Sequence, residues 1–373
     1  MIDRIPDVLV VGGGLIGCSI AYALACEGAK VTVVERAGIG AEASSAAAGI
    51  LAPRAHATEG ALFPFAMASH ARYPAWIAAI REETPLDVEY IRSGVLHVAI
   101  TDAEGRLLRE RADRLRADGH DVTWLEPFDV LSHEPALNAR IRGGMFDVDA
   151  YHVNPSRLTQ AVAQAAARHG VHFVLGGEVQ GIGGSAGRAT AVRTATGAIS
   201  GDHIVLATGA WMATAGDWLG MAIPIAPARG QILALSAMPS PIQTIIWGEA
   251  AYLLPRFDGS IVLGATVEHV GFDRRLTASG INWLLEQIPA LCPVLRNATF
   301  LRAWTGFRPM APDELPIIGR APGWDNVTIA TGHHRNGITL APITAELVAR
   351  LVLHEESDQL IEPFRPARFL PPT

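Results

Sequence analysis

Lysine is almost absent from this sequence, because Lys30 is the only lysine among 30 basic residues. Lys30 lies in a turn before a predicted strand, which argues against catalysis through a lysine Schiff base. Cysteine is also scarce. The three cysteines, Cys18, Cys26 and Cys292, have neither the number nor the spacing of a disulfide framework or a metal site. Two of them fall in the first predicted helix, where we expect small buried side chains.

The sequence also lacks a long apolar run and an excess of positive charge. No uninterrupted apolar stretch reaches the ~18 residues that span a bilayer, and a predicted strand stands where a signal peptide would have its basic start. We therefore expect a cytoplasmic protein without membrane association. A net charge of -7 argues against nucleic-acid binding, which needs clustered positive charge. The 373 residues are 49% hydrophobic, enough for a large core and two domains.

Residues 7–17, DVLVVGGGLIG, read as a short apolar strand followed by glycines and the start of a helix. In a dinucleotide site, Gly12 permits the tight turn, Gly14 lets the backbone approach a pyrophosphate, and Gly17 lets the helix pack closely on the sheet. A second predicted strand ends in an acid, Glu35, where the ribose hydroxyls lie. The alternative is a glycine-rich turn in an ordinary βαβ unit, which leaves Glu35 without a reason to end an apolar strand.

Hydrophobic periodicity predicts further elements along the chain. Helices are predicted at 59–81, 104–118, 155–169 and 343–353, and strands at 93–100, 171–175, 202–206, 251–255 and 260–265. Asn154 is the expected N-cap of the third helix and Gly170 its stop. Asp258 and Gly259 indicate a hairpin between the last two strands. Charges of both signs alternate on the second helix, which is typical of a solvated face rather than an anion site.

The tract 36–53 consists largely of small residues. It is either a flexible linker or a chain laid along an extended cofactor. Its segment 44–49, SSAAAG, resembles the same segment of the amino-acid oxidase flavoproteins, the family that includes D-amino acid oxidase, sarcosine oxidase and glycine oxidase. The later segments ATGAW, RGQIL, GFRP and GHHRNGITLAP occur in the order and approximate spacing of glycine oxidases. The resemblance therefore covers essentially the whole chain.

This resemblance implies an α/β fold with a glutathione-reductase-type, Rossmann-like FAD-binding domain and a smaller α+β substrate domain. The antiparallel sheet of the second domain is expected to cap the flavin ring. We expect the FAD-binding domain at 1–75, 145–220 and 305–373, and the substrate-binding domain at 76–144 and 221–304. The main cofactor alternative, a NAD-dependent dehydrogenase, would not explain a cofactor domain that needs the far end of the chain.

The resemblance also implies which residues contact FAD. In the first part of the chain they are Gly12, Gly14, Leu15, Ile16, Gly17, Glu35, Arg36, Ser44, Ser45, Ala48, Gly49 and Ile50. Further along they are Val179, Thr208, Gly209, His333, His334, Arg335, Asn336, Gly337 and Ile338. The backbone N–H groups of the last four residues and the helix that follows offer a partial charge of roughly +0.5 to the pyrimidine end of the flavin.

FAD is expected to be bound non-covalently, and no metal is expected. In the covalent members of the wider family, a histidine replaces a residue of the SSAAAG region or a cysteine precedes the C-terminal motif. Here those places hold Ser44 and Ser45 and the segment 310–318, which contains neither residue type.

Oxidation of an amine by hydride transfer needs no nucleophile, because the free amine lone pair forms the imine. The resemblance implies that Arg308 holds the substrate carboxylate, which a planar guanidinium can do with two parallel hydrogen bonds. Tyr252, in YLLPR, is expected to donate to the same carboxylate, and Arg335 to lie near flavin and substrate. The alternatives are a core aromatic for Tyr252 and a structural ion pair for Arg335. For His333 and His334 we favour positioning over proton transfer.

Three functions remain open at this point. The first is an oxidase of glycine and other small amines, including sarcosine and D-alanine, that uses dioxygen and forms peroxide, with a possible place in thiamine thiazole synthesis. The second is a dehydrogenase that passes electrons to a quinone or a partner, as in hydrogen cyanide synthases. The third is a non-catalytic flavin-binding module, which would not need Arg308 and Tyr252 together. Ile50 and Val267 occupy pocket positions that are methionine in some relatives, and a homo-oligomer is expected.

Overall fold

The computed structural model describes residues 7–56, 60–185 and 187–370. Within these ranges the chain forms twenty strands and ten α-helices. The strands are β1 (Asp7–Val11), β2 (Lys30–Glu35), β3 (Ile50–Leu51), β4 (Ile91–Arg92), β5 (Val95–Ala99), β6 (Val122–Leu125), β7 (Gly143–Asp147), β8 (Tyr151–His152), β9 (His172–Leu175), β10 (Val179–Ser185), β11 (Arg188–Thr194), β12 (Gly197–Ser200), β13 (His203–Leu206), β14 (Ala226–Ser236), β15 (Ile245–Trp247), β16 (Tyr252–Pro255), β17 (Ser260–Gly264), β18 (Thr299–Met310), β19 (Ile317–Arg320) and β20 (Val327–Thr331). The helices are α1 (Leu15–Cys26), α2 (Ala43–Ala46), α3 (Pro53–His56), α4 (Leu62–Glu83), α5 (Asp102–Ala117), α6 (Pro127–His133), α7 (Pro155–Arg168), α8 (Met212–Leu219), α9 (Ala278–Leu291) and α10 (Gly337–His354).

A six-stranded sheet in the order β19-β20-β13-β1-β2-β9 carries the glycine-rich turn. Its strands from β20 to β9 are parallel, and β19 is an antiparallel edge strand. Parallel sheets are covered on both faces, so their strands read as nearly continuous apolar runs, as β1 and β13 do. One face packs on α1, α4, α7 and α10, and the other packs on α8 and the small sheet β10-β11-β12. Because β1 lies in the middle, the turn that follows it opens at the centre of the sheet edge.

The last helix, α10, begins at Gly337, six residues before the predicted start, so that prediction is wrong. Pro342 lies inside this helix and cannot donate to the carbonyl of Ile338. The carbonyl of Ile338 instead accepts a hydrogen bond from the Tyr73 hydroxyl at 2.5 Å. By length and composition α10 is apolar enough to cross a membrane, but 72% of it is buried inside the protein, as in a core helix.

An eight-stranded sheet in the order β18-β14-β17-β16-β15-β5-β7-β6 faces the first sheet. We predicted an antiparallel sheet, and the observed sheet is mixed because β15 and β5 pair in parallel. These two strands are far apart in the chain, so no hairpin fixes their relative direction. The predicted hairpin at Asp258 and Gly259 is confirmed, with Pro255 opposite Ile261. A core between this sheet and the helices α6 and α9 holds it together.

The predicted helix boundaries were more accurate at ends than at starts. Asn154 caps α7 as predicted, and its side chain accepts the N–H of Arg157 at 3.2 Å. The second predicted helix corresponds to α5, which starts earlier than predicted, at Asp102. It starts there because Thr101 caps it, and the Thr101 side chain accepts the N–H of Glu104 at 3.2 Å. The start predicted at residue 59 lies outside the described residues, and α4 begins at Leu62.

One expectation about the cysteines is wrong. Cys18 and Cys292 are buried, but Cys26, at the end of α1, is exposed.

Two strands cross the domain boundaries drawn from the sequence. All six strands of the first sheet fall within 1–75, 145–220 and 305–373, whereas β7 and β18 extend across the boundaries at 145 and 305.

Candidate active site

A cavity of about 560 Å³ lies between the two large sheets. Its wall is formed by the turn after β1, the small-residue tract around α2, the turn between β15 and β16, the strand β18 and the N-terminus of α10. Both halves of the chain therefore contribute to one continuous site. The carboxyl ends of parallel strands are the place where such folds bind their ligands.

The first end of the cavity is a backbone cradle. Gly14 is the N-cap of α1 and makes no side-chain cap bond. The N–H of Leu15 donates to the Ser44 hydroxyl at 2.9 Å, which ties the SSAAAG segment to the helix N-terminus. A Cβ built on Gly17 would overlap the carbonyl oxygen of Gly12, so close packing requires glycine there. The cradle presents backbone N–H groups and a helix N-terminus, which suit a pyrophosphate.

Glu35 is fixed at the end of β2 by two backbone donors. Its Oε2 accepts the N–H of Gly13 at 2.7 Å, and its Oε1 accepts the N–H of Ala37 at 2.8 Å. Each carboxylate oxygen retains a further acceptor position. The carboxylate therefore holds the glycine turn in place and can still accept two ribose hydroxyls.

The far end of the cavity is formed by the segment before α10. His333 is buried, and burial lowers its pKa to about 3, so its ring is neutral at physiological pH. Its Nε2 lies 3.1 Å from the Thr344 hydroxyl. The N–H of His334 donates to the carbonyl of Pro309 at 3.0 Å and joins this segment to β18. The first residues of α10, Gly337 and Ile338, line the cavity beside it.

Arg308, on β18, points into the same cavity and has no acidic partner among the residues that the structure describes. Its Nη1 donates to the carbonyl of Thr266 at 3.0 Å, and burial lowers its pKa. The positive charge of the nearby Arg335 lowers this pKa further. Burial raises the pKa of Tyr252 to about 12, so its hydroxyl keeps its proton near neutral pH.

Two arginines that are fully buried, Arg54 and Arg229, show how a guanidinium pairs with a carboxylate in this protein. Arg54 donates to Asp147 at 2.8 and 2.9 Å, and Arg229 donates to Glu268 at 2.5 Å. In the part of the chain that the structure describes, Arg308 forms no such ion pair. Arg308 is therefore a positively charged group that lines the cavity and can bind an anion.

The structure brings most of the predicted site residues to this cavity. All of the predicted cofactor and catalytic residues line it except Gly17, Ser45 and Asn336. Gly17 packs behind the turn, and Asn336 is the N-cap of α10. Ser45 faces a separate cleft beside Arg274, so a direct contact with a cofactor is not what the structure shows.

Trp211 and Glu42 are among the cavity residues that the sequence reasoning missed. Trp211, in the ATGAW segment, lies under the guanidinium of Arg36, 3.9 Å from the ring centroid. Glu42 accepts from Arg36 at 3.0 Å and from Arg274 at 2.6 Å. The ATGAW motif could have indicated Trp211, whereas no local signal pointed to Glu42.

A dinucleotide-type cradle shares one cavity with an arginine that forms no ion pair among the described residues, which is the arrangement expected of a flavin-dependent oxidoreductase. The chain belongs to the family of FAD dependent oxidoreductases called DAO, whose family model matches residues 7–351. The predicted family is confirmed.

Known relatives and structures agree with this assignment. The chain is 33% identical over 368 residues to a glycine oxidase of Geobacillus kaustophilus, covering 98% of this chain and 97% of that protein. The crystal structure of glycine oxidase from Geobacillus kaustophilus matches with a TM-score of 0.94 and 32% identity, and the match covers 98% of this chain and 99% of that chain. The chain is 37% identical over 368 residues to the bifunctional protein ThiO/ThiG of Trichormus variabilis, covering 97% of this chain and 55% of that protein.

The residues present fit FAD. An alanine at Gly12 or Gly17 would collide with backbone, so the close packing of the turn that forms the cradle requires glycine at both positions. Glu35 offers acceptors to the ribose, and the N-terminus of α10 lies at the opposite end, where the flavin ring carries negative charge on reduction. FAD is therefore the cofactor that the family and the cavity share.

Proposed function

We propose that this chain oxidises glycine and other small amino acids or N-methyl amines, such as sarcosine and D-alanine. The reaction would pass a hydride from the substrate α-carbon to bound FAD and its two electrons on to dioxygen, giving hydrogen peroxide and an imine that hydrolyses to an oxo acid and ammonia or an amine. Arg308 carries the proposal, because it lines the cavity and lacks an acidic partner among the described residues. The relatives named glycine oxidase support it.

Each residue of the proposed clamp has a separate task. Arg308 binds the substrate carboxylate by charge-assisted hydrogen bonds, and Tyr252 donates its hydroxyl to the same group. Arg335 adds positive charge near both. Trp247, Val267 and other apolar wall residues exclude water, which strengthens these bonds. FAD, when bound, supplies the hydride acceptor, so the protein orients the α-carbon rather than attacking it.

The pH profile should reveal whether a protein base takes part. Hydride loss needs the unprotonated amine, so kcat/KM should rise with pH and level off once the amine of the substrate has lost its proton. The pKa of His333 is about 3 and that of Tyr252 about 12, so neither group titrates near neutral pH. We expect the inflection to move with amine basicity when two substrates of different pKa are compared. An inflection that stays at one histidine-like pH would instead assign a base to His334.

FAD should be released by acid. The positions equivalent to covalent attachment hold Ser44 and Ser45, and 310–318 contains neither histidine nor cysteine. Acid precipitation of the yellow protein should leave a colourless pellet and a yellow supernatant, measured at the flavin absorbance maximum. A pellet that stays yellow after washing would show a covalent bond.

Four further properties complete the proposal. The segments 1–75, 145–220 and 305–373 form the FAD-binding domain, and 76–144 and 221–304 form the substrate-binding domain. The protein is cytoplasmic, in keeping with its buried α10. It assembles as a homo-oligomer, supported by the exposed apolar side chains of Met238, Phe257, Phe300 and Leu301. Relatives that carry the name ThiO/ThiG support a role in which the imine enters thiazole formation for thiamine.

The activity can be tested with an amine panel. Glycine, sarcosine and D-alanine should each consume dioxygen and yield one hydrogen peroxide per dioxygen. Methylamine, which lacks the carboxylate, serves as the matched control and should turn over poorly. Turnover of glycine with a quinone but not with dioxygen would replace the oxidase by a dehydrogenase. No turnover with either acceptor would reject the proposal.

A further inference from the structure

The two clamp side chains come from strands that are not neighbours. In the eight-stranded sheet, β14 and β17 lie between β18, which carries Arg308, and β16, which carries Tyr252. Strands lie about 4.8 Å apart, so β18 and β16 are separated by about 14 Å. To bind one carboxylate, both side chains must lie flat across the strands between them.

A glycine lies beneath each of these side chains. A Cβ built on Gly230, in β14, would lie 2.5, 2.6 and 2.7 Å from Nη1, Nη2 and Cζ of Arg308. A Cβ built on Gly264, in β17, would overlap the hydroxyl oxygen of Tyr252 and lie 2.6 Å from its Cζ. Real Cβ atoms are essentially never found within 3.0 Å of such atoms, so any other residue would displace the clamp side chains.

The strand register explains why these two positions matter. Gly264 is directly opposite Tyr252, so both point to the same face of the sheet. Ala228 is directly opposite Arg308, and Gly230 is two residues further along the same face. The guanidinium passes over Gly230 and reaches the carbonyl of Thr266, 3.0 Å from Nη1. The position of the guanidinium is thus set by the absence of a side chain beneath it and by the bond at its end.

Neither glycine is required by a left-handed φ angle. The left-handed φ angles of this chain occur elsewhere, and Gly230 and Gly264 are not among them. Each glycine is therefore required by the side chain above it, not by its own φ. Gly183, in β10, is the contrasting case, because the nearest atoms to a Cβ there are 3.8 Å away.

We propose that Gly230 and Gly264 are positioning residues of the carboxylate clamp: they form a floor on which Arg308 and Tyr252 lie flat and converge on one carboxylate. The proposal rests on the proposed function, since it assumes that these two side chains bind the substrate carboxylate. The proposal explains why the RGQ motif contains a glycine, Gly230, which leaves room for the side chain of Arg308. Gly264 leaves room for Tyr252 in the same way.

The test is a pair of double-mutant cycles read by ligand binding. Gly230→Ala is made alone and together with Arg308→Ala, and Gly264→Ala alone and together with Tyr252→Ala. The dissociation constant of glycolate, a carboxylate without an amine, is measured by calorimetry on the FAD-loaded protein, and kcat and KM are measured for glycine. Gly183→Ala is the matched control for an alanine in a strand.

Each single glycine variant should weaken glycolate binding about tenfold or more, the effect of losing one charge-assisted hydrogen bond. The KM for glycine should rise more than kcat falls. In the background in which the overlying side chain is already alanine, the same glycine substitution should change glycolate binding less than about twofold. A single variant that loses FAD or aggregates but is restored in the double variant would also support the steric relation.

Two outcomes would overturn the proposal. Effects that add fully in the double variants would show that the glycines act independently of the clamp, and unchanged glycolate binding in both single variants would show that they do not position it. A different outcome bears on the proposed function itself. If Arg308→Ala and Tyr252→Ala leave glycolate binding unchanged, the clamp lies elsewhere and the floor has no substrate role.

Discussion

Replacing Arg308 by alanine should lower kcat/KM for glycine by about two orders of magnitude or more, since each charge-assisted hydrogen bond contributes ~1.5–3 kcal/mol and ~1.4 kcal/mol is tenfold. The FAD content and the fold should remain, because Arg308 bonds only to the carbonyl of Thr266 and stands in no ion pair of the described residues. Arg308→Lys should recover only part of the activity, because an ammonium group lacks the planar fork.

The control for Arg308 is a substrate without a carboxylate. Methylamine turnover, already poor, should be nearly indifferent to both substitutions. If glycine oxidation survives Arg308→Ala within a factor of about three, less than 1 kcal/mol on the same scale, the clamp is elsewhere and Arg335 becomes the candidate.

Removing the Glu35 carboxylate should weaken FAD binding about ten- to a hundredfold, the equivalent of one to two hydrogen bonds to a charged group. The loss has two sources, the ribose contacts and the two backbone N–H groups, of Gly13 and Ala37, that the carboxylate satisfies. Glu35→Ala saturated with FAD should turn over at nearly the parent rate, because Glu35 lies at the cofactor end of the cavity. Equilibrium dialysis of FAD against the variant measures the effect.

Two variants make the Glu35 experiment specific. Glu35→Gln keeps the shape but has one oxygen for two N–H donors, so its FAD affinity should fall between those of the parent and Glu35→Ala. Glu27→Ala removes the same charge at the exposed far end of α1 and should leave the affinity unchanged. An FAD affinity of Glu35→Ala equal to that of Glu27→Ala would remove Glu35 from the site.

The parts of the site predictable from the sequence are those determined by local chemistry. The glycines after β1 and the acid after β2 act within one βαβ unit, so their spacing alone indicates the turn and its ligand. The start of α10 was not predictable, because the carbonyl freed by Pro342 is satisfied by Tyr73, 265 positions from Ile338. The local sequence pattern that marks a helix start cannot reveal a hydrogen-bond donor so far away along the chain.

Non-local arrangements account for the remaining differences. The parallel pairing of β5 with β15 follows from two distant segments meeting in one sheet, which periodicity does not encode. Ser45 belongs to the same SSAAAG segment as Ser44, but it faces the other side of α2. The turn of the chain at α2 sets this difference in orientation. The floor under the clamp is visible only once the strand order places Gly230 beside Arg308 and Gly264 beside Tyr252.

The central claim is that one cavity joins a carboxylate clamp to FAD and that dioxygen completes the cycle. The most direct measurement is the absorbance of the flavin under nitrogen, with glycine added and air then admitted. Bleaching by glycine followed by full recovery in air is the predicted result, and Arg308→Ala should bleach far more slowly at the same glycine concentration. A flavin spectrum that glycine leaves unchanged, or one that bleaches and does not recover in air, would contradict the account.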